Sequence, residues 1–138
     1  MANVSSTRRP PRFPPGPLVQ ERPLLTAAEA TTLGRLFKVF GNDTRLRLLH
    51  ALVRDGELCV TQLAEAVGMK PQAVSNQLQR LVDRGIIGAR RDGTNIYYRI
   101  IDPCVPILLE RGLCLIECCP EKRPAAEPIA RRSRQLVR

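Results

Sequence analysis

Residues 57–87 read ELCVTQLAEAVGMKPQAVSNQLQRLVDRGII. Two apolar stripes at helical spacing flank VGMK. The first runs through Val60, Leu63, Ala64 and Val67 and closes at Gly68. The second runs through Ala73, Val74, Leu78, Leu81 and Val82 and closes at Gly85. Pro71 stands at the first position of the second helix, where a missing N–H leaves no bond unmade. Two short helices joined by a tight, glycine-containing turn predict a helix-turn-helix.

The flanks extend this reading. Upstream, Leu33, Leu36, Phe37 and Phe40 give residues 26–40 the spacing of a first helix. Gly41 breaks it. Asp43 is read as the cap of a second helix lined by Leu46, Leu48, Leu49, Leu52 and Val53, and RDGEL as a turn. Downstream, Ile86-Ile87 opens a strand, Asp92-Gly93 signals a hairpin turn, and IYYRI alternates apolar and polar residues. Asp102-Pro103 then starts a last helix with Val105, Leu108, Leu109, Leu113 and Ile116 on its apolar positions, running to about Cys118. The expected fold is mainly α with a two-stranded β wing: a winged helix-turn-helix.

Composition narrows the class. A chain of 138 residues suits one domain with a modest core. Aromatics make up 4% and Trp is absent, which argues against stacking on single-stranded nucleic acid. No apolar run approaches the ~20 residues of a membrane span. The N-terminal arginines precede no apolar stretch, so no signal peptide is read and the protein is expected in the cytoplasm. There, five cysteines are expected as thiols. The net charge of +9 sits mostly at the ends. Residues 1–24 hold four Arg and one Glu, and residues 120–138 hold six basic and two acidic residues. Residues 1–24 are read as a disordered, basic, Pro-rich arm, 25–119 as the folded domain, and 120–138 as a disordered basic tail. Both ends could add attraction to DNA phosphate, or serve only for solubility.

DTRLRLLHAL (43–52), the opening stretch, and RRDGTNIYYRIID (90–102) together resemble the ArsR/SmtB family of winged-helix, metal-sensing repressors. The likeness spans about residues 25–119, with its blocks in order and at the right spacing. It implies a homodimer built by the first and last helices, double-stranded operator DNA with an imperfect palindrome as partner, and release when an inducer binds. It implies no enzyme activity.

The second helix of such a motif enters the major groove led by its N-terminal residues. Here that helix offers Gln72, Ser75, Asn76 and Gln79, with Arg80 toward the backbone. Gln and Asn can bond adenine bidentately, and Ser can reach a base edge or a phosphate. The family often has His where Asn76 stands, so the base preference is open. Lys70 at the helix start, and Arg90, Arg91, Thr94 and Asn95 on the wing, are candidates for phosphate or minor-groove contact.

Inducer sites of the family are clusters of metal ligands, and two places here resemble them. ELCVTQL is similar to the ELCVCDL of thiol sensors; Cys59 is kept, and Thr61 replaces the second cysteine. Cys59 also takes the N-cap position, with Gln62 three residues on, as in a capping box. A helix N-terminus favours the thiolate. The second place is the last helix. Cys114 and Cys118 are four apart on one face, Cys119 follows, and Pro120 stops the helix. Cys104 sits at its start, where Asp102-x-Cys104 stands for the Asp-x-His of zinc-type members. IECCP resembles the adjacent cysteines of one arsenic-sensing branch. His50, the single histidine, is read as a core or surface residue.

A sulfur-rich, nitrogen-poor ligand set selects soft ions. Hg(II) is placed first, As(III) next, then Cd(II) and Pb(II). The preferred site is Cys59 with Cys114 and Cys118 or Cys119, from one protomer or two, with Cys104 last among the candidates. A rival reading keeps the fold and changes the signal to thiol oxidation or persulfide, using one cysteine pair. A thiol enzyme is disfavoured by the absence of C-x-x-C.

Overall fold

The computed structural model describes residues 18–118. After a single 3-10 turn, Val19–Glu21, the order is α1 (Ala27–Phe40), α2 (Asp43–Asp55), β1 (Leu58–Cys59), α3 (Val60–Val67), α4 (Pro71–Asp83), β2 (Ile87–Asp92), β3 (Asn95–Ile100) and α5 (Cys104–Glu117). Cys119, the expected tail and residues 1–17 of the expected arm lie outside the described residues. Among the described residues no helix is long and apolar enough to cross a membrane.

Local chemistry sets the helix ends. The Thr26 hydroxyl accepts from the Glu29 N–H at 3.2 Å, and the Glu29 carboxylate accepts from the Thr26 N–H at 2.9 Å, a reciprocal cap on α1. Asn42, not Asp43, caps α2: its amide oxygen accepts from the Arg45 N–H at 3.0 Å. Asp43 is the first helical residue, and an acid there still meets the positive end of the helix dipole. Between α3 and α4 the chain reverses at Gly68, whose φ of 69° is left-handed and suits glycine. The Met69 N–H reaches back to the Ala64 carbonyl at 3.0 Å to close that turn. Pro71 opens α4 at its first position, as read from the sequence.

The core is built by α2, α3, α4 and the sheet. Leu48, Leu49 and Leu52 from α2 meet Leu63, Ala64 and Val67 from α3, and Val74, Leu78 and Leu81 from α4. Ile86, Ile87 and Tyr98 close it from the sheet side, with Phe40 and Val105 from α1 and α5. Each of the larger side chains contributes roughly 1.5–3 kcal/mol by leaving water.

Two arginines of the DTRLRLL stretch bind helix ends. The Arg45 guanidinium donates to the last carbonyls of α1, Val39 at 2.6 Å and Lys38 at 3.1 Å, and to Gln77 Oε1 on α4 at 3.1 Å. Arg47 donates to the Val67 carbonyl at the end of α3, at 3.1 Å. Each is a cation placed where a helix dipole is negative.

The expected two-stranded wing is present, and a third strand joins it. The sheet has three antiparallel strands in the order β1-β3-β2, not two. Leu58 pairs with Tyr98 and Cys59 with Tyr97, so part of the expected RDGEL turn is an edge strand. A two-residue strand carries no alternation to read. The β2–β3 hairpin pairs Ile87 with Ile100 and Asp92 with Asn95, which leaves Gly93-Thr94 as the loop. Only Gly93 has positive φ there, fitting the hairpin turns that want Gly first.

Candidate DNA-reading surface and thiol site

On α4 the apolar stripe faces the core and the opposite face is polar. Gln72, Asn76, Gln79 and Arg80 are exposed, while Ser75 is half-buried. The exposed side chains are linked at four-residue steps. Gln72 Nε2 donates to Asn76 Oδ1 at 3.3 Å, and Gln79 Nε2 donates to Asp83 Oδ1 at 2.7 Å. These bonds hold the amides in extended rows that could be read against base edges. Lys70 is the N-cap residue and is exposed. Arg91, Thr94 and Asn95 are exposed around the hairpin tip.

Arg90 differs from its neighbours on the wing. Its guanidinium is paired with Glu57, with Nε donating to Oε1 at 2.7 Å. It also lies 3.6 Å from the Asp92 carboxylate and 5.2 Å from the centre of the Tyr97 ring. In this structure it braces the sheet. Glu57 was not singled out in the sequence, because its partner is 33 residues away and no local pattern links the two.

The thiols fall into three places. Cys59 is half-buried between β1 and α3 and is the N-cap of α3. Its N–H donates to Gln62 Oε1 at 3.0 Å, and its Sγ is hydrogen-bonded with the Thr61 hydroxyl at 3.2 Å. The Thr61 hydroxyl, and then the Gln62 N–H, hold the Cys59 thiol below its ordinary pKa. Thr61, which breaks the resemblance to a two-thiol pocket, therefore serves Cys59 directly.

Cys104 heads α5, and its N–H donates to Asp102 Oδ1 at 2.8 Å. Loss of hydration, then the nearby Asp102 carboxylate, pushes its thiol up. Cys114 and Cys118 meet at the other end of α5, with sulfurs 3.2 Å apart, both exposed. Sharing a hydrogen bond with Cys118 raises the Cys114 pKa first, with burial second. Cys119 is the next residue along, outside the described set.

The four described thiols are all free. Cys59 is not gathered with Cys114 and Cys118: among the described residues no three His, Cys, Asp or Glu side chains converge into one set. The structure brings together the Cys114–Cys118 pair and leaves Cys59 and Cys104 apart from it. His50 is exposed on α2.

An apolar groove of about 340 Å³ separates α1 from α5, lined among others by Leu36, Phe37, Phe40, Cys104 and Leu108. Beyond it the apolar residues at the far end of α5 find no cover among the described residues. Leu113, Leu115 and Ile116 are exposed, as is Leu33 on α1. Only Phe40 of α1 and Val105 of α5 are fully buried, so most of the predicted apolar positions on these helices do not face the core of one chain.

Known proteins share this arrangement. The family model described as "Bacterial regulatory protein, arsR family" matches residues 42–88, from the cap of α2 to the start of β2. The crystal structure of the AntR antimony-specific transcriptional repressor is 63% identical, with a TM-score of 0.68, covering 80% of this chain and all of that one. The solution structure of a homodimeric winged helix-turn-helix DNA-binding domain from Mycobacterium bovis is 31% identical, with a TM-score of 0.61, over 77% of this chain and 97% of that one. A "Probable mercury resistance operon repressor" of Streptomyces lividans is 36% identical over 95 residues, 64% of this chain and 75% of its own. The helix-turn-helix, the wing and these relatives agree: the chain belongs to the arsR family of bacterial regulatory proteins.

Proposed function

We propose that the protein is a dimeric transcriptional repressor that holds operator DNA through α4 and the wing, and lets go when thiols of α5 capture a soft metal or metalloid ion. The observation that carries this reading is the Cys114–Cys118 pair. Two reduced sulfurs 3.2 Å apart, exposed on α5, have little structural use. Sulfur donors alone fit soft ions. A third thiolate would come from Cys119, the next residue in the sequence, or from a second copy; Cys104 heads the opposite end of α5.

The order of inducers changes from the one read from sequence. Hg(II) stood first there. Neighbouring thiolates on one helix face give a narrow bite, which suits a pyramidal three-coordinate ion better than a linear two-coordinate one. The 63% identity to an antimony-specific repressor points the same way. Sb(III) and As(III) therefore come ahead of Hg(II), Cd(II) and Pb(II). Dimer formation is supported by the uncovered apolar faces of α1 and α5 and by the homodimeric M. bovis domain.

Capture requires the thiols to lose their protons. α5 packs on α2, and α1 is tied through Arg45 to Gln77 on α4. A shift of α5 and α1 thus has a bonded route to the DNA-reading helix. The coupling needed is ~1–3 kcal/mol, or 5–150-fold in DNA affinity. It need only spoil the match of two recognition helices to half-sites ~34–36 Å apart.

The test is fluorescence anisotropy of the reduced full chain on a duplex from its own promoter region, titrated with Sb(III), As(III), Hg(II), Cd(II), Pb(II) and Zn(II). Release by Sb(III) or As(III), lost in Cys114→Ser and in Cys118→Ser/Cys119→Ser but kept in Cys59→Ser, is the expected result. Binding unmoved by every ion yet abolished by mild oxidant would transfer the protein to the redox class.

A further inference from the structure

We infer that a basic cleft between α1, α2 and α4 is a second seat for duplex DNA phosphate, beside the base-reading face and separate from the wing. The inference rests on the repressor reading and extends it to residues that neither the motif nor the wing includes.

The cleft has a volume of about 380 Å³ and is lined by Arg35 and Lys38 from α1, Arg45 from α2, and Arg80, Asp83 and Arg84 at the end of α4. Five cations and one acid share one concavity. Arg45 is committed to its three bonds and forms part of the scaffold. Asp83 accepts from Gln79. Arg35, Lys38, Arg80 and Arg84 form no ion pair or side-chain hydrogen bond among the described residues. Elsewhere in the fold, Arg54 and Arg90 each have a carboxylate partner. Four unpaired cations held close together repel one another, and an anion relieves that repulsion.

Position identifies the anion. Asn76, Arg80 and Arg84 follow at four-residue steps, so they form one row along α4. The row that begins with a base-reading amide therefore runs straight into the cleft. A helix seated in the major groove has a phosphate backbone along each flank. The cleft is bordered by α1 and α2 beside the end of α4, so it would meet one flank while the wing meets the backbone elsewhere. The cleft is open and its four unpaired charges are spaced along α1 and the end of α4, which suits successive phosphodiesters better than one buried small anion.

Salt dependence tests this, because each phosphate contact contributes a slope of about −0.9 in log K against log salt for duplex DNA. The full chain is titrated onto the promoter duplex and onto an unrelated duplex of equal length, from low to high salt. Arg35→Gln/Lys38→Gln should flatten the slope by about two, and Arg84→Gln by about one, equally on both duplexes. Arg54→Gln, the same charge change at the opposite end of α2, should leave the slope unchanged. Asp83→Asn removes the one acid, keeps an acceptor for Gln79 and should tighten binding to both duplexes. Melting temperatures near wild type exclude misfolding for each variant. Slopes unaltered in the cleft variants, or altered as much in Arg54→Gln, would overturn the inference. So would inorganic phosphate displacing DNA better than chloride at equal ionic strength, which would mark a small-anion pocket. If the wild-type chain binds neither duplex, the repressor reading itself fails, an outcome distinct from these.

Discussion

The two halves of this chain handle the same sequence pattern in opposite ways. In α2, α3 and α4 the apolar stripes turn mostly inward: Leu48, Leu49, Leu63, Val74, Leu78 and Leu81 are 0% exposed, and only the edge positions Leu46 and Val53 of α2 face outward, at 36% and 38%. In α1 and α5 the stripe is as regular, yet Leu36 is 41%, Phe37 51%, Leu115 68% and Ile116 63% exposed. Periodicity reports that a helix has an apolar face; it does not report what lies against it. The helix-turn-helix half completes its core within one protomer. The half that carries the α5 thiols presents surface that a second copy would finish.

The sharpest break of that comparison comes from the core. Leu78→Ala should destabilise the fold by ~2–5 kcal/mol, because α4 cannot collapse onto the gap without moving its polar row. Chemical denaturation reads it directly; a loss under 1 kcal/mol would mean the reading half is looser than its burial indicates. Next is Phe37→Glu, at the α1–α5 groove. A charge set in a dimer interface should weaken self-association by ~2–4 kcal/mol, the range of interface hot spots, seen as a monomer in analytical ultracentrifugation. A Phe37→Glu dimer as tight as wild type would show that α1 faces water.

Arg45→Met comes third and tests the tie between the halves. It removes bonds from a guanidinium to two carbonyls of α1 and to Gln77, so a loss of ~1.5–3 kcal/mol is expected. The more telling readout is the ratio of DNA affinities with and without inducer. That ratio should shrink toward one if α1 signals to α4 through this residue, and stay at the wild-type value if it does not.

What the sequence disclosed follows from the range of each interaction. The helix-turn-helix was legible because its signals are local: the stripes, Gly68, Pro71 and a four-residue turn. The Cys59 cap was legible for the same reason, since Gln62 and Thr61 are within three residues. Cap identity slipped by one residue at α2, where Asn42 and Asp43 are both good caps and only the fold selects between them. β1 escaped notice because its pairing with Tyr97 and Tyr98 is long-range. So did the Glu57–Arg90 pair and the basic cleft, whose cations come from three helices. The thiols were easy to find and hard to group. Cys114 and Cys118 lie one helical turn apart and do meet, whereas joining Cys59 to them needs a tertiary contact that is absent among the described residues.

The smallest expected effect separates the thiols of the two halves by pH. Cys59 is held below the ordinary thiol pKa by Thr61 and the Gln62 N–H, and Cys114 is held above it by its bond with Cys118. A lowered pKa means a larger thiolate fraction at any pH under the ordinary value, and the thiolate is the nucleophile. Cys59 should therefore be alkylated by iodoacetamide before Cys114 near neutral pH, in spite of being the less exposed of the two. The gap should narrow as pH rises, because Cys114 ionises later, and the lower intrinsic nucleophilicity of a low-pKa thiolate then works against Cys59. Metal capture that uses Cys114 should strengthen over the same rise, since that thiol is held above its ordinary pKa and must lose its proton to bind. Peptide mass spectrometry after timed labelling resolves the order. Thr61→Val sharpens the test: it removes the hydroxyl and should slow Cys59 labelling while leaving Cys114 alone. Cys114 labelling first at neutral pH would reverse the assignment, and would mean that the Cys114–Cys118 contact stabilises a thiolate on α5 rather than a shared proton.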